Sequence, residues 1–290
     1  MDAHLHEPGS QFCIRLRAMT PETPSDPELR FAWTAEGPFA YTDEGSGPTV
    51  LFVHGLPGSA RDFRWLASAL EGRVRSVRLE QPGFGATPVS TETGTSFDAR
   101  ARFVLAAADA LDLDRFYLVG HSMGGGVAMT TAALAPERVS GLALLASIGM
   151  HPHRGARKAS RRPDIARLLD YGIVRRALLP TMRAGFKRAG FPASTTDDAV
   201  VQSVRLFSAL EFASVRRAAF ALSAPAFIAW AEDDPLVETA IGLSLGAVLP
   251  DGPRISFESG GHNIQKTRAI ELAEAMLTWI VAGVEMPKAG

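Results

Sequence analysis

Gly120-His121-Ser122-Met123-Gly124 sets a serine between small residues, after the apolar run Phe116–Val119 and before the helical pattern Val127–Leu134. Strand, tight turn and helix in that order lift the central side chain above the strand end, and so tight a turn tolerates only small neighbours. A serine hydroxyl held there becomes a nucleophile once a base takes its proton, and histidine is the base suited to neutral pH. The chain has seven histidines. His4 and His6 lie in a polar N-terminal stretch, and His54 ends an earlier apolar run. His121 adjoins the serine and is turned elsewhere by the elbow, and His151 and His153 open a basic segment. His262 alone lies in a loop after the last strand-like run, in Ser259-Gly260-Gly261-His262-Asn263, and is the expected base. An acid that orients the imidazole and stabilises its charged form belongs between the two in sequence. Glu232-Asp233-Asp234 follows the apolar run Ala226–Ala231 directly. Asp234 is the expected acid and Asp233 the alternative, and the acids not used are read as part of a solvated loop or a helix N-terminus.

Attack on a carbonyl creates an oxyanion, which preorganised backbone N–H groups stabilise. Met123, the residue after the nucleophile, is one expected donor. The other comes from His54-Gly55-Leu56-Pro57-Gly58-Ser59, where Pro57 has no N–H and Leu56 is the expected donor. His54 itself reads as a hydrogen-bonded structural histidine. His151 and His153 are two ligands among arginines, too few for a metal site.

Elements with a regular rhythm must hold these groups. Phe31–Thr34, Phe39–Asp43, Thr49–Val53, Val74–Leu79, Phe116–Val119, Val139–Leu145, Ala226–Ala231 and Arg254–Phe257 read as strands. Several are continuous apolar runs, as strands covered on both faces are. Helical spacing appears at Phe63, Leu66, Ala67 and Leu70, along Phe97–Leu111, along Val127–Leu134 up to Pro136, and from Ile264 to Ile280. Alternation of the two predicts an α/β fold with a mostly parallel central sheet and helices on both faces. The rhythm breaks over 149–223, which reads as amphipathic helix punctuated by Gly172, Pro180, Gly185, Gly190 and Pro192. The expected organisation is a mobile tail over 1–30, a core over 31–148 and 224–290, and a helical cap over 149–223.

Composition narrows the function. A chain of 290 residues, 46% hydrophobic, can bury a large core, and a formal net charge of −1 gives no field for nucleic acid or anionic membrane. Charge is nonetheless uneven: from His151 to Gly190 there are eleven Lys or Arg against Asp164 and Asp170. Most of these arginines read as a solvated helix face. Cys13 is the only cysteine, so no intramolecular disulfide can form. Residues 1–17 lack the basic start and apolar stretch of a signal peptide, and no window has the ~20 apolar residues of a membrane span. The expectation is a cytoplasmic protein.

The motifs HGLPGS (54–59), EQPGFGAT (80–87), GHSMGG (120–125), EDDPLV (232–237) and GGH (260–262) together resemble the α/β-hydrolase superfamily, in its serine esterase and lipase-like branch with a helical cap. The resemblance covers about 31–148 and 224–283. It implies the α/β-hydrolase fold with Ser122, Asp234 and His262 as its triad, because EDDPLV matches best when its second Asp is the acid. EQPGFGAT departs from the family's D-x-P-G-x-G-x-S through Glu80 and Thr87, which bears on packing more than on chemistry. Haloalkane dehalogenases and epoxide hydrolases of this superfamily carry Asp at the position of Ser122. Proline iminopeptidases typically carry Trp where Met123 stands, and cofactor-free perhydrolases generally lack a long cap. Carbon–carbon hydrolases of aromatic ring-cleavage pathways share GHSMGG. They usually have Trp after the histidine, where Asn263 stands, and a glycine-rich oxyanion loop, where Leu56-Pro57 stand.

The resemblance implies a carboxylic ester hydrolase that acts through an acyl-enzyme on a small to medium acyl or aryl substrate. The alternatives are carbon–carbon hydrolysis of a vinylogous diketone, and a receptor that binds its ligand without turnover. Cap residues such as Leu168, Leu169, Leu178 and Phe186 are candidates for the substrate pocket. No cofactor is implied, and the chain is expected as a monomer or homodimer.

Overall fold

The computed structural model describes residues 13–14, 24–26, 28–90, 94–159, 166–188, 191 and 195–285. Its centre is a nine-stranded sheet of order β1-β9-β8-β7-β6-β4-β5-β3-β2. The strands are β1 (Cys13–Ile14), β2 (Arg30–Thr34), β3 (Gly37–Gly45), β4 (Thr49–Val53), β5 (Arg75–Leu79), β6 (Phe116–His121), β7 (Val139–Leu145), β8 (Ala226–Ala231) and β9 (Arg254–Phe257). β3 pairs antiparallel with β2 and β5, and every other pairing is parallel. A parallel sheet needs cover on both faces, which explains the apolar runs. Along β4, Leu51 and Val53 face one core and Val50 and Phe52 the other.

The first core lies under α2 (Phe97–Ala110), α3 (Met123–Leu134) and α8 (Thr239–Val248). The second lies under α1 (Arg64–Ala69) and α10 (Ala269–Glu285). Ser96 caps α2 by accepting a hydrogen bond from Ala99 N–H at 3.1 Å. The single helix expected from Ile264 to Ile280 is divided into α9 (Ile264–Thr267) and α10, with Arg268 between them.

The segment between β7 and β8 contains α4 (Arg154–Ala159), α5 (Gly172–Arg188), α6 (Asp197–Ser208) and α7 (Phe212–Ala221). α7 packs on α3, and α6 buries Ala199, Val200, Val201 and Leu206. α5 buries no side chain, and Ile173 is 88% exposed. Arg175 and Arg183 tie α5 to α6 through Asp198 and Asp197.

Most of the tail expected over 1–30, together with 160–165, 189–190 and 192–194 of the expected cap and 91–93 and 286–290 of the core, lies outside the described residues. Within the tail, Cys13 and Ile14 pair with Arg254 and Ile255. Two residues have no periodicity for a sequence reading to detect. The strand start also shifts: Val74 is buried in the turn before β5 rather than inside it.

Candidate active site

The carboxyl ends of β4, β6, β8 and β9 each deliver one part of the site, as expected where strand order departs from sequence order. Ser122 follows β6 at φ 54° and ψ −123°, a left-handed conformation that a side chain adopts only when its surroundings compel it. Ser122 N–H donates to Leu145 O at 3.1 Å, and Ser122 O accepts from Gly125 N–H at 3.0 Å and Ile148 N–H at 3.1 Å. The neighbours must be glycine. A Cβ on Gly124 would lie 2.2 Å from Val53 O, and one on Gly120 would lie 2.6 Å from Gly124 O.

His262 follows β9 and reaches across to the serine, with Nε2 2.9 Å from Ser122 Oγ. Its Nδ1 lies 2.8 Å from Asp234 Oδ2. A carboxylate only accepts, so Nδ1 carries the proton and Nε2 presents a lone pair to the hydroxyl. Asp234 is buried directly after β8, and its Oδ1 accepts from Leu236 N–H at 2.7 Å and Val237 N–H at 3.0 Å. Burial alone would raise its pKa. The hydrogen bond and charge of His262, with the two backbone donors, outweigh burial and hold the carboxyl below its usual value.

Gly55 touches the nucleophile, since a Cβ on it would lie 2.9 Å from Ser122 Cβ. The loop carrying Leu56 therefore runs beside Ser122, and Leu56 and Met123 are both buried. Met123 is the first residue of α3, where a helix cannot satisfy its own N–H and its dipole favours negative charge.

The other histidines separate clearly. His54 is buried, lies at 2.8 Å from Gly55 O through Nδ1, and accepts from Gln81 N–H at 3.1 Å through Nε2. Desolvation lowers its pKa to about 4. His121 donates from Nε2 to His262 O at 2.9 Å, and burial, then the nearby His262, lowers it to about 3. His153 is buried against Leu236 O, and His151 is exposed. Among the described residues, no group of three or more His, Cys, Asp or Glu converges as metal ligands would.

Two expectations need correction or refinement. Asp233 and Glu232 are not merely solvated. Asp233 Oδ1 accepts from Gly260 N–H at 2.9 Å and Gly261 N–H at 2.7 Å, and Glu232 accepts from Ser256 Oγ at 3.0 Å. Adjacent acids look alike in sequence, and only the fold brings the glycine amides of the histidine loop to Asp233 while the His262 ring meets Asp234. Among the pocket candidates, Leu169 is buried, Leu168 is 46% exposed, and Leu178 and Phe186 are half-buried. Glu80 keeps to packing: its carboxylate accepts from Ala86 N–H and fills the space over Gly85.

Comparison with known proteins gives a consistent family. A family model described as alpha/beta hydrolase fold matches residues 48–183. The dihydrolipoyllysine-residue acetyltransferase component of the acetoin cleaving system of Pseudomonas putida is 29% identical over 258 residues, covering 83% of this chain and 65% of that protein. Haloalkane dehalogenase 2 of Mycobacterium tuberculosis is 32% identical over 149 residues, covering 51% of this chain and 52% of that protein. The chain thus spans less than two thirds of the length of either. The 2-hydroxy-6-oxononadienedioate/2-hydroxy-6-oxononatrienedioate hydrolase of Paraburkholderia phymatum is 27% identical, covering 83% of this chain and 90% of that protein. Among solved structures, a haloalkane dehalogenase from Bradyrhizobium elkani superposes with a TM-score of 0.72 at 20% identity, covering 89% of this chain and 98% of that one.

Proposed function

The chain belongs to the α/β-hydrolase superfamily, and from that premise we propose that it is a serine hydrolase cleaving a carboxylic ester of a small to medium acyl or aryl substrate. One observation carries the reading: His262 bridges Ser122 Oγ at 2.9 Å and Asp234 Oδ2 at 2.8 Å. His262 Nε2 takes the Ser122 proton as Oγ attacks the ester carbonyl. The Met123 and Leu56 N–H groups receive the oxyanion. Asp234, held ionised by its donors, stabilises the imidazolium. The imidazolium then protonates the leaving alkoxide, which departs and leaves Ser122 acylated. A water deprotonated by His262 attacks the acyl carbonyl, and the imidazolium returns that proton to Ser122 Oγ as the carbon–Oγ bond breaks and the carboxylic acid leaves. An ester needs no special leaving-group protonation, which makes it the simplest substrate for this set of groups. The helical segment 149–223 serves as the cap that selects among substrates.

Serine at position 122 supports a hydrolase of this type over the chemistry named for its dehalogenase relative, because a hydroxyl needs the base that His262 supplies. The dienedioate hydrolase relative favours a second reading, hydrolysis of a carbon–carbon bond in a vinylogous diketone. The experiment is hydrolysis of p-nitrophenyl esters from acetate to dodecanoate, alongside a ring-cleavage dienoate, with wild type and Ser122→Ala. Ester turnover that vanishes in the variant supports the proposal. Dienoate turnover without ester turnover selects the second reading, and binding of either without turnover selects a receptor.

A further inference from the structure

His262 lies in the loop that follows β9. Gly260 and Gly261 precede it, and Gly261 adopts φ 64°, the left-handed region that glycine enters without penalty. Two consecutive glycines give a loop many alternative paths, yet the imidazole must present Nε2 to Ser122 Oγ within a few tenths of an ångström. Something outside the loop has to select one path.

We infer that Asp233 is that element: a positioning residue whose carboxylate straps the backbone of Gly260 and Gly261 and so seats His262 against Ser122. A single oxygen, Oδ1, accepts both N–H groups, at 2.9 Å from Gly260 and 2.7 Å from Gly261. Its neighbour Asp234 holds the ring of the same histidine at 2.8 Å. The two carboxylates therefore divide the task. Asp234 fixes the rotation and tautomer of the imidazole, and Asp233 fixes the main chain from which it hangs. Glu232 N–H donates to Phe257 O at 2.8 Å, which registers the acid loop to β9 immediately before the histidine loop begins.

The remaining contacts of the loop make Asp233 decisive. Arg268 donates to Ser259 O at 2.7 Å, Thr267 donates to Gly260 O at 2.7 Å, and His121 donates to His262 O at 2.9 Å. These three hold carbonyl oxygens. Asp233 holds the N–H groups of both glycines, so removing it frees the two residues with the greatest conformational freedom. Asp233 is itself exposed, and exposed charged hydrogen bonds contribute little to global stability. Its effect therefore falls on turnover rather than on the melting temperature.

The inference rests on the serine-hydrolase reading for its kinetic arm only. In the full-length protein, Asp233→Ala is expected to lower kcat on p-nitrophenyl butyrate by about 10- to 100-fold with KM unchanged. Asp233→Asn keeps a carbonyl oxygen able to accept both N–H groups. It is expected to restore kcat to within about threefold of wild type, which a simple loss of charge would not allow. Amide hydrogen exchange at Gly260 and Gly261 is expected to accelerate by about tenfold or more in the alanine variant and to recover in the asparagine variant. A kcat for Asp233→Ala within about twofold of wild type overturns the inference, as does an asparagine variant as impaired as alanine. Should the wild type hydrolyse no ester, the serine-hydrolase reading fails and the exchange rates decide alone: accelerated exchange retains the strap, and unchanged exchange overturns it.

Discussion

The floor of the site and the helix α5 are built to different standards. Around Ser122 and His262, the chain is held by bonds to backbone atoms from four directions, and glycines are required because a single added carbon would lie 2.2 Å from Val53 O. α5, seventeen residues long, buries no side chain and is tied to α6 by exposed ion pairs. Such pairs contribute about 0–1 kcal/mol each. Under the proposed reading the contrast fits two tasks: bond cleavage needs groups fixed to a fraction of an ångström, whereas a helix proposed to select among substrates has no such demand.

The largest expected effect is on the floor. Ser122→Ala or His262→Ala lowers ester kcat/KM by about 10³- to 10⁶-fold while circular dichroism remains that of the wild type. A smaller drop in a folded variant would mean that the groups do not act as a unit. Next comes the sheet beneath. Leu144 is fully buried in β7, and Leu144→Ala is expected to destabilise by about 2–5 kcal/mol in urea unfolding.

Acid gives the third test. His54 and His121 are buried neutral, with pKa values lowered to about 4 and about 3, whereas in the unfolded chain they bind protons near 6.5. The unfolded state thus binds more protons between these values. Their contribution to stability is complete above pH 6.5 and is lost as the pH falls toward 3. Asp62, raised to about 6 chiefly by burial, acts in the opposite direction and offsets part of this. Replacing His121 by Gln keeps an N–H able to reach His262 O and removes one titrating group. The variant should lose less stability than wild type between pH 7 and pH 4, and an unchanged slope would remove His121 from the account.

The smallest effect belongs to α5. Ile173→Ser should change unfolding free energy by less than about 0.5 kcal/mol. Leu178→Ala and Phe186→Ala are expected to shift the preferred ester chain length with little effect on stability, measured as the ratio of kcat/KM for dodecanoate to acetate. A large stability loss from any of these would show that α5 is part of the core after all.

Much of this architecture was legible because burial on both sheet faces leaves continuous apolar runs. β4, β7, β8 and β9 coincide with the runs Thr49–Val53, Val139–Leu145, Ala226–Ala231 and Arg254–Phe257. The elbow was legible because glycine at 120 and 124 answers a steric demand within a few residues. That Ser122, Asp234 and His262 come within hydrogen-bond distance of one another was legible because each follows such a run and chain order constrains the rest. Cys13–Ile14 pairing with β9 was not legible, since a two-residue strand has no period. Nor were the partners of Glu232 and Asp233, because acids beside the expected one carry no mark of which way each will face.

The sequence by itself thus determined the layered sheet, the serine elbow and the histidine that follows the last strand, all consequences of local patterning and chain order. Tertiary structure alone decided that Asp233 meets two glycine amides, that His121 is held neutral beneath His262, and that α5 lies unburied. The physical reason is range. Burial and turn sterics act between near neighbours, whereas a hydrogen bond between residues 233 and 260 exists only once β8 and β9 lie side by side.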